Sequence, residues 1–325
     1  MSRGVALSGH SDVVPVTGQN WTTDPFTLKK RDDKYYGRGT CDMKGFLAVA
    51  LAKVPLMQEK PLKTPLHFAI SYDEETGCYG APKMIAEFGK SIMQPKIVIV
   101  GEPSDMKVVS AHKGECDFET IVTGLECHSS QTHRGVNAIF YANKLIQKLQ
   151  EMAENQQKNA KNDCRFTPPY SSIHVGLING GTALNIIPKE CRFTWEIRNL
   201  PDDNIEAILK PFFDLEKKLN DEIQAIHPQC NIQTITGDNV HGLREDLSSP
   251  AEELARKLTG DNEVIYVPYC TEAGQFQQSG CSVVICGPGS IDQAHQADEF
   301  IAISQVKQCE NFIDRLIKHC QNEIV

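Results

Sequence analysis

The sequence predicts an α/β protein whose mostly parallel sheet is interrupted by a smaller α+β module. In the first part of the chain short apolar runs alternate with helix-forming stretches, the rhythm of βαβ units. From about Gly114 the order becomes β-α-β-β-α-β, the split βαβ of a ferredoxin-like module. Beyond about residue 240 the α/β rhythm returns, so the module reads as an insertion. The expected division is 1–113 and 241–325 for the α/β part and 114–240 for the insert.

Val5 to Ser8 reads as the first strand, and as a buried one, because a strand covered on both faces needs no polar alternation. A central strand with no covering helix before it also predicts that an N-terminal segment is missing. Gly18 to Lys34 is polar and carries Asn20, Asp24 and Pro25, so a surface loop is expected. Met43 to Val54 has the composition of a buried helix. Pro65 to Ile70 is expected to be a buried strand, Ala81 to Ile92 a helix, and Pro95 to Val100 a strand ended by Gly101-Glu-Pro-Ser104.

The insert is expected to hold strands at Cys116 to Thr123, Ser172 to Leu177, Cys191 to Ile197 and Asn231 to Ile235. Its helices fall at Val136 to Met152 and Asp203 to Leu219, with Ala153 to Lys161 as a helix end and loop. The last part continues with a helix from about Pro250, a strand at Glu263 to Val267, a helix near Glu272, a strand at Val283 to Cys286 and a helix from about Ser304.

At 325 residues the chain suggests about two domains. A net charge of −9 and a pI near 5.6 argue against a nucleic-acid partner and an anionic membrane surface. No apolar run approaches the length of a membrane span. Twelve cysteines without C-x-x-C spacing or a secretory segment read as reduced thiols of a cytoplasmic protein.

Ligands of open α/β sheets bind beyond the strands' C-terminal ends. His10, Glu74, Glu75 and Glu102 fall there, joined by Asp12, Asp42 and His295 in the connecting loops. Taken singly, each has a plain reading: a loop histidine, a helix-capping aspartate, a solvated Glu-Glu turn. Taken together, the imidazoles and carboxylates can hold two divalent metals if one carboxylate bridges them. Adjacent glutamates point to different sides, so one can bind metal while the other acts on a water as general base. Asp12 is placed to fix the tautomer of His10.

Ser8-Gly-His-Ser-Asp-Val-Val-Pro15, Tyr36-Gly-Arg-Gly-Thr-Cys-Asp-Met-Lys-Gly45, Asp73-Glu-Glu-Thr-Gly77, Gly101-Glu-Pro-Ser104 and Gly287-Pro-Gly-Ser290 through His295 resemble peptidase family M20, the co-catalytic zinc aminoacylases and carboxypeptidases. The resemblance covers nearly the whole chain. It implies a zinc-peptidase-like catalytic domain with an inserted lid and dimerisation domain, and two Zn²⁺ per subunit, with Co²⁺ as a substitute. Asp42 would bridge the ions, with His10 and Glu102 on one and Glu75 and His295 on the other. Glu74 would be general base and acid, and Asp12 would support His10.

In the insert, Gly124-Leu-Glu-Cys-His128 resembles the family segment whose histidine reaches the active site of a partner subunit in a homodimer. His133 competes for that role. Asn185 and Arg198 match positions that grip the substrate carboxylate, a task suited to a guanidinium fork. Tyr269-Cys-Thr-Glu-Ala273, Ala111-His-Lys-Gly114 and Ala294-His-Gln-Ala-Asp-Glu299 most resemble the acetylornithine deacetylase branch of the family. That branch implies hydrolysis of N²-acetyl-L-ornithine, a step of arginine biosynthesis, with Glu272 and Lys113 among the substrate-binding residues. A carboxylate at 272 suits an ornithine ammonium and would repel a succinyl group. The rivals are a desuccinylase, aminoacylase or dipeptidase of the same family, and a shortened inactive homologue that binds metal or a partner.

Overall fold

The computed structural model describes residues 3–324; the outer ends of the expected division, at 1 and 325, lie outside them. The chain forms two compact units, Met1–His112 with Gly242–Val325, and Lys113–His241.

In the first unit the strands are β1 (Val5–His10), β2 (Lys29–Arg31), β3 (Lys34–Tyr36), β4 (Leu66–Ser71), β5 (Ile97–Pro103) and β6 (Val109–His112). Its early helices are α1 (Lys44–Ala52), α2 (Val54–Gln58) and α3 (Gly80–Ile85). The second unit holds β7 (Glu115–Thr123), α4 (Ala138–Lys158), β8 (Ser172–Gly180), β9 (Glu190–Arg198), α5 (Ile205–Ile226) and β10 (Asn231–Val240). Back in the first unit come α6 (Pro250–Thr259), β11 (Ile265–Val267), α7 (Ala273–Gln278), β12 (Ser282–Gly287), β13 (Phe300–Ala302) and α8 (Ile303–Asn322).

The main sheet has the order β11-β6-β12-β5-β1-β4 and is parallel except between β12 and β6. β1 lies between β5 and the edge strand β4, and its alternate side chains enter different cores. Val5 and Leu7 pack with Phe46, Ile99, Phe312 and Leu316 on one face, whereas Ala6 packs with Val98, Ile285 and Phe276 on the other. Each such large apolar side chain contributes about 1.5–3 kcal/mol by leaving water.

Several elements differ from expectation. β4 is the sheet's edge strand, not a buried one, and Ile70 on it is 42% exposed. The expected helix Met43 to Val54 ends as α1 at Ala52, and a short helix not expected, α2, follows it with Pro55 in its first turn, where a missing N–H costs no helical bond. Gly89 at φ +76° follows the turns after α3, which ends well before Ile92. β5 runs through Gly101 and Glu102 to Pro103 instead of stopping at Val100. The expected loop before Lys34 contains β2, which pairs with β3, and β3 pairs with β13 in a small antiparallel sheet. β6 and β13 were not expected at all.

The second unit is a four-stranded antiparallel sheet of order β10-β7-β9-β8, with α4 and α5 packed on it. Asn137 and Asn204 cap these helices by accepting the N–H groups of Phe140 and Ala207. Leu145 and Leu149 of α4, and Phe212 and Ile223 of α5, meet Phe118 and Trp195 in the core. The Phe118 and Trp195 rings stack at 4.1 Å, and the buried indole N–H donates to Thr120 Oγ1 at 3.0 Å.

The chain leaves and re-enters the first unit at neighbouring points. The His112 N–H donates to the Leu243 carbonyl at 3.1 Å, and inside the second unit Glu115 pairs with Val240.

Candidate active site

His10 closes β1, Glu102 lies near the end of β5, and Glu74 and Glu75 occupy the turn after β4. Asp42 precedes α1, joined to Met43 by a cis peptide bond, and His295 lies in the loop beyond β12 at φ +61°. β5 can carry Glu102 across α1 because residue 101 is glycine: a Cβ there would fall 2.1 Å from Phe46 Cδ1.

These side chains converge. His10 Nε2 lies 2.9 Å from Asp42 Oδ1 and 3.7 Å from Glu102 Oε1. On the other side His295 Nε2 lies 3.2 Å from Asp42 Oδ2 and 3.0 Å from Glu75 Oε2. Asp42 thus turns one oxygen to each histidine. Donor atoms of His10, Glu74 and Glu102, and of His10, Asp42 and Glu75, lie within 4.8 Å of one another. The second grouping draws Glu75 towards His10 as well as towards His295.

Asp12 links the two sides. His10 Nδ1 is 3.1 Å from the Asp12 carbonyl and 3.4 Å from its Oδ1, while Oδ2 accepts the Glu75 N–H at 3.1 Å. The main-chain carbonyl therefore shares with the carboxylate the task of orienting His10. The Glu74 Oε1 accepts a hydrogen bond from the Cys78 thiol at 3.3 Å.

The electrostatics ask for positive charge. Burial works against a charged His10, but the Asp42 hydrogen bond and the Glu102 carboxylate push its pKa up to about 11. Hydrogen bonds to Asp42 and Glu75 raise His295 to about 10. Burial opposes ionisation of Asp42, yet the two histidines hold it below the usual carboxylate range. Burial, reinforced by the Asp42 charge, lifts Glu102 well above that range, and burial lifts Glu74 to about 8. Glu75 Oε1 is buried without a hydrogen-bond partner. Crowded carboxylates, imidazole nitrogens facing them and an unsatisfied oxygen fit a site for divalent cations.

Glu272 sits among the buried groups of the same unit, 1% exposed. Its oxygens accept the Ser8 and Ser71 hydroxyls, each at 2.6 Å. Ser8, Ser71, Cys78, Arg38 and Glu299 were missed by sequence reasoning. Ser8, Arg38 and Glu299 had a signal, since each lies in a motif that carries the family resemblance: Ser8 opens the first, Arg38 is inside the second and Glu299 ends the segment from Ala294.

The remaining candidates belong to the second unit. His128 is exposed, and its Nδ1 accepts the Ser130 N–H at 3.2 Å, so the neutral ring carries its proton on Nε2. His133 and Asn185 are exposed as well. Arg198 pairs with Glu115 at 2.6 Å and Glu196 at 3.0 Å. Lys113 is buried, donating to the Tyr170 carbonyl at 2.7 Å.

Known proteins resemble this chain in sequence and in fold. The profile of peptidase family M20/M25/M40 matches residues 6–319. The acetylornithine deacetylase of Yersinia pseudotuberculosis (strain IP 31758) is 35% identical over 325 residues, covering 98% of this chain and 80% of the relative. That of Photorhabdus laumondii is 36% identical over 320 residues, covering 97% and 80%. Among solved structures, an M20 family metallo-carboxypeptidase from Sulfolobus solfataricus has a TM-score of 0.76 at 17% identity, covering 98% of this chain and 85% of that one. Human carnosine dipeptidase 1 has a TM-score of 0.71 at 18% identity, covering 99% and 81%. The chain belongs to peptidase family M20/M25/M40, a family of metal-dependent hydrolases.

Proposed function

We propose that this chain hydrolyses N²-acetyl-L-ornithine to L-ornithine and acetate. The observation that carries the reading is Asp42 turning separate oxygens to His10 and His295 while Glu74 stands beside them. His10 and Glu102 on one side, Glu75 and His295 on the other, and Asp42 between them would hold two divalent cations, zinc or its substitute cobalt. Such ions supply Lewis acidity and lower the pKa of a bound water.

Glu74 takes the proton of the attacking water and passes it to the leaving amine, a role favoured by a carboxyl whose pKa burial has raised towards neutrality. Asp12 keeps His10 and the Glu75 backbone in register. His128, with its proton on Nε2, offers a donor to the developing oxyanion from a partner subunit. Asn185 and Arg198 grip the substrate carboxylate, for which Arg198 must share a fork now turned to Glu115 and Glu196. Lys113, a buried cation of the same unit, joins them as a substrate-binding residue. Glu272 favours the ornithine ammonium through its buried negative charge, since its oxygens already accept serine hydroxyls.

A homodimer formed through the second unit suits β8, an edge strand that exposes Leu177 (65%) and Ile178 (54%). Turnover of acetyl-ornithine, succinyl-diaminopimelate and acetyl-methionine, with and without a chelator, tests the reading. Chelator-sensitive release of acetate from acetyl-ornithine above the others is expected. Preference for another substrate would overturn the ornithine assignment, and activity indifferent to chelation would overturn the metal mechanism.

A further inference from the structure

Glu299 is fully buried at the end of the segment that carries His295. Its Oε1 accepts the main-chain N–H groups of Cys41 at 2.8 Å and Asp42 at 3.1 Å, and its Oε2 accepts that of Gly39 at 3.1 Å. Arg38 Nη1 donates to Oε2 at 2.7 Å. A second tie closes the circuit: Arg38 Nη2 donates to Gln19 Oε1 at 2.6 Å, and Gln19 Nε2 donates to the His295 carbonyl at 2.8 Å. A buried ion pair is an expensive way to gain stability, because two charges must leave water. Here it does something an apolar pair could not. It gathers the backbone amides of one loop and joins them to the distant loop bearing the second histidine.

We propose that Glu299 is a positioning residue: it fixes the Asp42 loop against the His295 segment, so that Asp42 faces both histidines with separate oxygens. This rests on the metallohydrolase reading above. Without Glu299 the Gly39, Cys41 and Asp42 amides lose their acceptor, and Asp42 loses the backbone frame that aims it.

The test compares the unmutated protein, Glu299→Gln, and the double variant Arg38→Met/Glu299→Leu, which removes both buried charges together. Zinc affinity, the visible spectrum of the cobalt-loaded protein and hydrogen exchange at residues 39–42 are measured, with near-UV circular dichroism as the check on folding. Metal affinity is expected to fall about 10–100-fold, the usual effect of losing a group that orients ligands. The cobalt bands should shift, and the loop amides should exchange faster. A folded variant with unchanged affinity, spectrum and exchange overturns the inference; if Glu299→Gln does not fold, the double variant decides. Should the unmutated protein take up neither ion, the metallohydrolase reading falls. Hydrogen exchange in the metal-free protein then decides the clamp by itself, with unchanged rates in the variant overturning it.

Discussion

The Cys78 thiol donates to Glu74 Oε1, and the Cys78 main-chain N–H donates to the Glu74 carbonyl at 2.9 Å. One residue therefore holds both ends of the proposed base. A hydrogen bond of this kind contributes about 0.5–1.5 kcal/mol, equivalent to roughly a 2–10-fold change in rate. Cys78→Ala is expected to lower kcat on acetyl-ornithine by that factor with KM unchanged, and Cys78→Ser, which keeps a donor, should restore most of it. Equal kcat in all three proteins would show that the thiol does not steady Glu74.

Glu74→Gln keeps the shape of the side chain but cannot take a proton. Turnover should fall at least about 10²-fold, the lower range for loss of a general base. Metal content by elemental analysis should stay near that of the unmutated protein. If the ions are lost along with activity, Glu74 is a ligand and the assignment of the base is wrong.

Gly101 leaves no space for a methyl group beside the Phe46 ring, which is fully buried. Gly101→Ala forces the ring or β5 to move, an overpacking that costs about 1–3 kcal/mol. The urea midpoint should drop accordingly, and because Glu102 is the next residue, metal affinity should weaken too. A midpoint equal to that of the unmutated protein would mean that the core yields freely here.

All twelve cysteines are free thiols, and among them Cys127, Cys164 and Cys270 are partly exposed while the others are buried. Burial also pushes thiols up, Cys309 and Cys320 to about 12, which suppresses the reactive thiolate. Brief alkylation of the native protein, read by peptide mass spectrometry, should mark Cys127, Cys164 and Cys270 first. Labelling of Cys309 or Cys320 at a comparable rate would contradict the packing around α8.

Burial lowers the Lys113 ammonium to about 8 from the ordinary lysine value. In the unfolded chain the lysine stays protonated to higher pH, so the unfolded state binds more protons between about pH 8 and 10 and stability should rise across that window. Lys113→Met removes this gain. Urea midpoints at pH 7.5 and 9.5 should therefore increase with pH more in the unmutated protein than in the variant; parallel behaviour would refute the shift.

The candidate site was legible where apolar runs announce strand ends. His10, Glu75 and Glu102 follow such runs, and the sheet's topology brings those ends together. What stayed hidden depends on partners far away in the chain. Glu272 meets Ser8 across 264 residues and Ser71 across 201, and nothing local to any of the three foretells the contact. Its burial is why the role proposed for it is that of a source of field and not a direct contact with substrate. β2, β3 and β13 escaped notice because strands of three residues are too short to display alternation. The apolar run of β4 suggested a flanked strand, yet an edge position leaves the same pattern whenever one face is covered.

The pairing of His112 with Leu243 has a consequence for modularity. The severed ends that would remain after removal of 113–241 are already hydrogen-bonded neighbours. A few flexible residues would suffice to splice them, since closing so short a loop costs little entropy. The six-stranded sheet and the carboxylate–histidine cluster contain no residue from the deleted stretch. The sheet and its cluster thus form a self-contained stretch of backbone, while the oxyanion and substrate-gripping roles proposed for the insert would leave with it.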